Sequence, residues 1–95
     1  MGYGIMFNAR EWGLRWIKGS ILGYIKGSTS LNIVLGRIKR GLESYGITFN
    51  DVIILLKVLE IDPTYLPSIN KKDKNLKLEI LKRELQKIYQ RTNVR

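Results

Sequence analysis

Apolar residues recur every three or four positions through most of this 95-residue chain, and this spacing restricts the chain to a helical fold. The clearest stretch follows the polar turn Ser28-Thr29-Ser30. There, six apolar side chains share one predicted helix face: Leu31, Val34, Leu35, Ile38, Leu42 and Tyr45. Gly46 is expected to end this helix. The pattern predicts an all-α domain, a small bundle of four to five helices.

Residues 51–61, which read DVIILLKVLEI, are apolar nearly all round. A helix of this composition is expected at the centre of a core, with Thr48 or Asn50 at its start. A buried strand is the competing prediction, because several of these residues are β-branched. Asp62-Pro63 would end the helix and open a single turn over residues 63–66.

The first thirty residues contain repeated helix-breaking signals. Asn8 can cap a helix over residues 8–18, and Gly19-Ser20 is then expected to interrupt it before a second short helix, Ile21–Lys26. Glycines at 13, 19, 23 and 27 argue against one long helix. A β-hairpin that turns at residues 18–20 is the alternative, and residues 1–7 are expected to form a loose arm.

The C-terminal part of the chain, residues 71–92, predicts a long basic amphipathic helix running from about Asp73 to Arg91. Its apolar stripe consists of Leu78, Leu81, Leu85 and Ile88. This stripe would either cover the core or pair with a second copy, and the second alternative predicts a homodimer through this helix. The whole chain, 1–95, is expected to form one domain, with a core at residues 8–67.

The charge is high and unevenly distributed. Seventeen Lys and Arg oppose eight Asp and Glu, giving +9. Residues 1–46 carry +5, residues 47–70 carry −2 and residues 71–95 carry +6. Two basic ends therefore flank an apolar middle. A field of this sign attracts polyanions, DNA and RNA above all.

Several classes of function are disfavoured by composition. The chain has no cysteine and no histidine, so it lacks disulfides, thiolate metal sites and the commonest general base. Its carboxylates are spread along the sequence, so we expect neither an enzyme nor a cofactor. No apolar run is long enough to span a membrane, although residues 8–26 have the basic, tryptophan-rich character of an interfacial helix. A cytoplasmic location is the default expectation.

Two stretches carry a resemblance to a known family. Residues 55–66, LLKVLEIDPTYL, resemble the apolar fourth helix and following D-P-x-x-L turn of lambda-repressor-like helix-turn-helix domains. Residues 35–41, LGRIKRG, resemble the end of their recognition helix. The similarity covers about residues 8–67. It implies a small dimeric transcriptional regulator that binds DNA.

The resemblance also implies roles for individual residues. Ser28, Thr29, Ser30 and Asn32 would enter the major groove at the start of the third helix, where Asn32 can read adenine. Lys39 and Arg40 would contact phosphates, and Arg37 a phosphate or a guanine edge. Lys18 and Lys26 would hold phosphates beside helix starts. The basic C-terminal segment would add three further contacts, from Lys71, Lys72 and Lys74.

Each assignment has a simpler alternative. The hydroxyls and Asn32 can be helix caps, the cations can be solvated charge, and the aromatic residues Trp12, Trp16 and Tyr24 are expected in the core rather than as base-stacking platforms. Alternative functions are an accessory subunit of a nucleic-acid machine and a pure protein-interaction module. Groove insertion requires two helices between Ile21 and Leu42 that cross at about 90–120°. A straight helix or a hairpin there argues against it.

Overall fold

The computed structural model describes residues 8–61 and 71–93, which form four helices and no strand. These are α1 (Ala9–Lys26), α2 (Leu31–Ser44), α3 (Phe49–Ile61) and α4 (Lys71–Asn93). The all-α prediction is therefore confirmed, and the strand and β-hairpin alternatives are wrong. None of the described helices is both long and apolar enough to cross a membrane. The predicted turn at 63–66 and the predicted arm at 1–7 lie outside the described residues.

The first helix corrects the sequence analysis, because the predicted break at Gly19-Ser20 does not occur. Ser20 is buried, and its hydroxyl donates to the Trp16 carbonyl oxygen at 2.9 Å, so its polar atom is satisfied within the helix. A helical glycine costs about 1 kcal/mol, which burial of Ile17 and Ile21 outweighs. The helix instead ends at Gly27, whose φ of 93° is left-handed.

Helices α1 and α2 form an antiparallel hairpin. Gly23 lies against Thr29 beside the turn, Ser20 bonds to Arg37 in the middle, and Gly13 approaches Tyr45 at the far end. These contacts run the length of both helices. Such a hairpin differs from the steep crossing that insertion of α2 into a groove requires.

Close packing of the hairpin depends on glycine, which has no side chain. A Cβ on Gly41 would lie 2.8 Å from Ile17 Cδ1 and 3.0 Å from Ile47 Cδ1, and both isoleucines are buried. Gly36, in the same helix, has nothing within 4 Å of the equivalent position. Substitution by alanine should therefore have opposite effects on stability at Gly36 and at Gly41.

We expect Gly36→Ala to raise the free energy of unfolding by about 1 kcal/mol, because alanine is the better helix former and meets no neighbour. Gly41→Ala should instead lower it by about 1 kcal/mol or more, because overpacking of 1–3 kcal/mol exceeds the propensity gain. Urea denaturation of the two variants measures both. Equal changes in the two variants would contradict the close packing at Gly41.

The predicted centre of the core is also corrected. Helix α3 buries Val52, Leu56 and Leu59 but exposes Ile54, Val58 and Ile61. It packs mainly against α4, so only one of its faces is covered. Helix α4 packs against each of the other three helices and so joins α3 to the α1–α2 hairpin. Its leucines Leu78, Leu81 and Leu85 are buried in the chain's own core, so this stripe is not available for pairing with a second copy.

The start of α3 is held by a reciprocal capping arrangement. The Asp51 N–H donates to Thr48 Oγ1 at 3.0 Å, while the Thr48 N–H donates to Asp51 Oδ2 at 2.9 Å. The Arg10 guanidinium on α1 pairs with Asp51 Oδ1 at 2.6 Å. The Thr48 N–H, followed by the Arg10 side chain, lowers the pKa of Asp51 against an opposing effect of burial.

Asp51→Asn should lower the melting temperature at pH 7. The ionised carboxylate contributes stability above its unfolded pKa of about 3.9, and that contribution is lost as the pH falls through the lower folded pKa. The difference between variant and parent should therefore shrink at pH 3, as followed by circular dichroism. Glu43→Gln removes an exposed carboxylate and is the control. It should leave the melting temperature unchanged at both pH 7 and pH 3. If Asp51→Asn lowered the melting temperature as much at pH 3 as at pH 7, the result would contradict a stabilising contribution from the ionised carboxylate.

Candidate nucleic-acid interface

The α1–α2 hairpin carries four exposed cations: Arg15 and Lys26 on α1, and Lys39 and Arg40 on α2. We call these four residues the hairpin outer face. Arg15 and Lys26 lie on α1 opposite the buried Ile17, and Arg40 lies on α2 opposite the buried Ile38. Lys39 lies on another side of α2, opposite Arg37 and Gly41, which contact α1. None of the four bonds to a carboxylate within residues 8–61 and 71–93. The face is therefore positive and open to an anionic ligand.

The arrangement follows from the continuity of α1. Arg15 and Lys26 are eleven residues apart, which is close to three helical turns, so they share one side of the helix about 16 Å apart. Gly19 lies on this exposed side of α1 and Gly36 is exposed on α2, and a Cβ built at either would meet nothing within 4 Å. Backbone is therefore accessible between the cations. At about 3.4 Å per nucleotide of one strand, 16 Å spans roughly five nucleotides.

Three other exposed cations in the described residues have acidic partners. Arg10 pairs with Asp51, and Lys87 on α4 pairs with Glu84 at 3.2 Å. Arg83 lies 3.9 Å from Glu79. Surface pairs of this kind add little stability, but they reduce the positive potential locally. On the hairpin, Glu11 lies one turn from Arg15, and Glu43 lies one turn from Lys39 and Arg40, but none of these forms an ion pair in the described residues.

The turn hydroxyls proposed from the sequence act in local structure. Ser30 Oγ accepts from the Ile33 N–H at 3.3 Å and caps α2, while Ser28 Oγ donates to the Gly23 carbonyl at 3.2 Å. Thr29 is half-buried against Gly23. The capping alternative therefore describes Ser30, Ser28 bonds to the end of α1, and Thr29 packs against Gly23. Asn32, in the first turn of α2, is exposed.

Arg37 is directed towards α1. It is half-buried, its Nη1 donates to Ser20 Oγ at 2.8 Å, and its guanidinium carbon lies 5.5 Å from the centre of the Trp16 ring. A hydrogen bond and a cation–π contact together fix this side chain across the hairpin. The expected contact of Arg37 with phosphate or guanine is not supported by this placement, so Arg37 is left out of the hairpin outer face.

Two lysines of α4 reach the C-terminal turns of other helices. Lys74 is buried and donates to the Glu60 carbonyl of α3 at 2.9 Å, and Lys77 donates to the Tyr24 carbonyl of α1 at 3.0 Å. A cation there satisfies a free carbonyl and opposes the negative end of the helix dipole. Lys74, expected at the nucleic-acid surface, is therefore structural. Neither lysine–carbonyl contact could be predicted from the sequence, because each joins two segments that are far apart in the chain.

The other lysines that the sequence proposed as nucleic-acid contacts differ in burial and location. Lys18 is half-buried on the flank of α1, and Lys72 is exposed on α4. Lys71 begins α4, and its side chain lies outside the described residues. Lys26, Lys39 and Arg40 are thus all exposed on the hairpin, whereas the proposed C-terminal lysines belong to another element. Arg15 joins the group, and its spacing from Lys26 identifies it once α1 is known to be continuous.

Aromatic side chains cluster at the far end of the hairpin. Trp12 stacks on Trp16 with ring centres 5.4 Å apart, and Tyr45 meets both rings edge-on. Tyr24 is buried and Trp16 half-buried, as the core prediction expected, whereas Trp12 is 45% exposed. The cluster joins the start of α1 to the end of α2.

The structure contains a small cavity of about 50 Å³ between α3 and α4, lined by residues that include Ile53, Leu56 and Asn75. The buried Asn75 Oδ1 has no hydrogen-bond partner in the described part of the chain. Sites for drug-sized ligands and cofactors are typically about 300 Å³ or larger, so this space suits solvent rather than a nucleotide. The cationic surface is therefore the stronger candidate site.

Comparison of the chain with protein-family models, curated proteins and solved structures finds no match.

Proposed function

We propose that this protein binds nucleic acid, duplex DNA in the first instance, and that the hairpin outer face contacts the phosphate backbone. The observation that carries the proposal is that four exposed cations of the hairpin, Arg15, Lys26, Lys39 and Arg40, form no ion pair within the described residues. The net charge of +9 adds a long-range attraction between the protein and nucleic acid.

The physical gain comes from the counterions of DNA. A cation that neutralises a phosphate releases a condensed counterion, and this release favours binding most strongly at low salt. Four cations held on two packed helices keep fixed relative positions, so several phosphates can be neutralised at once. Cations already paired with carboxylates contribute less, since their potential is partly cancelled.

Backbone contact is favoured over base readout by the geometry of the hairpin. The antiparallel packing of α1 and α2 does not project the start of α2 away from the body of the protein. The turn hydroxyls of Ser28 and Ser30 have backbone partners, and Arg37 is held by Ser20 and Trp16. The proposed role is therefore that of a basic accessory subunit that binds without sequence readout.

The proposal is tested by fluorescence anisotropy with a labelled duplex of mixed sequence, titrated with protein at several salt concentrations. The logarithm of the binding constant should fall linearly with the logarithm of salt, with a slope near −3.6 for four contacts. Unlabelled duplexes of unrelated sequence should compete equally. Absence of binding at 50 mM salt would overturn the proposal.

A sequence-reading regulator is the second candidate, and the exposure of Asn32 favours it. An asparagine at the start of a helix can make a bidentate contact with adenine. Selection from a random duplex pool distinguishes the two functions. A recovered consensus that is lost in Asn32→Ala would favour the regulator, and an unenriched pool favours backbone binding.

A further inference from the structure

Trp12 is the most exposed member of the aromatic cluster at the far end of the hairpin. It is 45% exposed, whereas Trp16 and Tyr45 are half-buried. Its ring is held by both neighbours, because it stacks on Trp16 and meets Tyr45 edge-on, each with ring centres 5.4 Å apart. The centres of Trp16 and Tyr45 are 5.8 Å apart, so the three rings form a triangle and Tyr45 lies beside the stacked pair. Trp12 is therefore a fixed aromatic ring at the surface of the protein.

Helical periodicity places Trp12 on the same side of α1 as two cations of the hairpin outer face. Arg15 is three residues from Trp12, a spacing at which side chains on a helix are neighbours, and Lys26 lies close to three turns beyond Arg15. Both cations are exposed and form no ion pair within the described residues. Gly19 is exposed between them. One aromatic ring and two positive charges therefore follow each other along one side of α1.

We propose that an unpaired base of the bound nucleic acid stacks on Trp12 while Arg15 and Lys26 contact phosphates of the same strand. This inference rests on the proposed function and adds to it the form of nucleic acid that the surface takes, a strand with at least one unpaired base. Surfaces that bind single strands combine positive charge for the backbone with aromatic rings for the bases. A base within a duplex is already stacked between its neighbours, so it gains nothing from the indole.

The dimensions of α1 set the length of the strand. Trp12 and Lys26 are fourteen residues apart, which corresponds to about 21 Å along the helix. At about 3.4 Å per nucleotide, this distance spans roughly six nucleotides. Arg15 lies next to Trp12, so a phosphate bound by Arg15 brings the base of a neighbouring nucleotide to the indole. The ligand is therefore a single-stranded segment of about six nucleotides or more, with a base at one end on Trp12.

Oligonucleotides with and without bases separate stacking from phosphate contact. A labelled thymidine strand offers bases and phosphates, whereas an abasic strand of the same length offers phosphates alone. A stacked base contributes about 1–3 kcal/mol, so Trp12→Leu should weaken binding of the thymidine strand about 5- to 150-fold in anisotropy titrations. Binding of the abasic strand should change less than about twofold. Tyr89→Leu alters an aromatic residue that is 46% exposed on α4, and this control should leave both affinities unchanged.

Tryptophan fluorescence tests the stacking in the unaltered protein. The thymidine strand should quench the emission of the parent protein, and the abasic strand should not. Trp12→Phe keeps an aromatic ring and leaves Trp16 as the only tryptophan of the chain, so this variant should bind the thymidine strand but lose most of the quenching. Equal affinity of the parent for the two strands, or binding of the thymidine strand without quenching, would overturn the stacking and leave the phosphate contacts standing. Absence of binding to either strand and to duplex at 50 mM salt would overturn the proposed function as well.

Discussion

Replacing all four residues of the hairpin outer face by glutamine is expected to weaken duplex binding on the order of 100- to 1,000-fold at 100 mM salt. Each lost contact removes about 0.9 from the salt slope, so the slope should approach zero. The side chains are exposed, and their removal leaves the core intact. Anisotropy titrations of Arg15→Gln/Lys26→Gln/Lys39→Gln/Arg40→Gln against the parent protein measure the change.

A matched control separates the location of charge from its amount. The same number of exposed cations can be neutralised on α4, at Lys72, Lys82, Arg83 and Lys87. Both variants lower the net charge from +9 to +5. We expect the α4 variant to lose less than about tenfold in affinity. Equal losses would show that binding depends on overall charge alone, and a greater loss in the α4 variant would move the interface to that helix.

Leu81→Ala is expected to lower the free energy of unfolding by about 3 kcal/mol, within the range of about 2–5 kcal/mol for a buried leucine. Leu81 is fully buried on α4, the helix that contacts α1, α2 and α3. A loss of this size is a large share of the 5–15 kcal/mol that holds a typical domain folded. Thermal unfolding should show a Tm lower by at least about 10 °C.

Leu76→Ala is the control for this prediction, because its side chain is 59% exposed on the same helix. It should change the free energy of unfolding by less than about 0.5 kcal/mol. If both alanine variants unfolded like the parent, α4 would be a peripheral tail. A large effect of Leu81→Ala alone supports α4 as the central element of a single domain.

Local signals in the sequence predicted much of the helical architecture. Asn8 and Ser30 cap the helices that follow them, and both bonds form between neighbouring residues. Val34 and Ile38 are buried as their spacing indicated, and the helix ends before Gly46, whose φ is 70°. Capping and periodicity depend on residues within one or two turns, so the sequence displays them directly.

Features that depend on packing between distant segments were not predictable in this way. The Gly19-Ser20 pair resembles a break, yet α1 continues because Ser20 is satisfied by Trp16 and Arg37. The composition of residues 51–61 suggested a central helix, but composition does not show how many neighbours a helix has. Val58 is exposed because α3 packs mainly against α4, which covers only the opposite face of α3.

In the candidate site, too, local features were predictable from the sequence and long-range contacts were not. Lys39 and Arg40 are exposed on α2, where helical periodicity placed them opposite the apolar face. Lys74 and Arg37 carry the same charge but are held by a carbonyl of α3 and a hydroxyl of α1. Residue type alone cannot separate a cation that binds a ligand from one that joins two helices, because the difference lies in long-range contacts.

The most direct test of the proposed interface is the mapping of backbone amide shifts by ¹⁵N-resolved NMR as a short DNA duplex is added to the labelled protein. We predict that the largest shifts cluster at Arg15, Lys26, Lys39 and Arg40, and that the amides of Lys82 and Lys87 on α4 move little. Shifts concentrated on α4, or an unchanged spectrum with excess duplex at low salt, would contradict binding through the hairpin outer face.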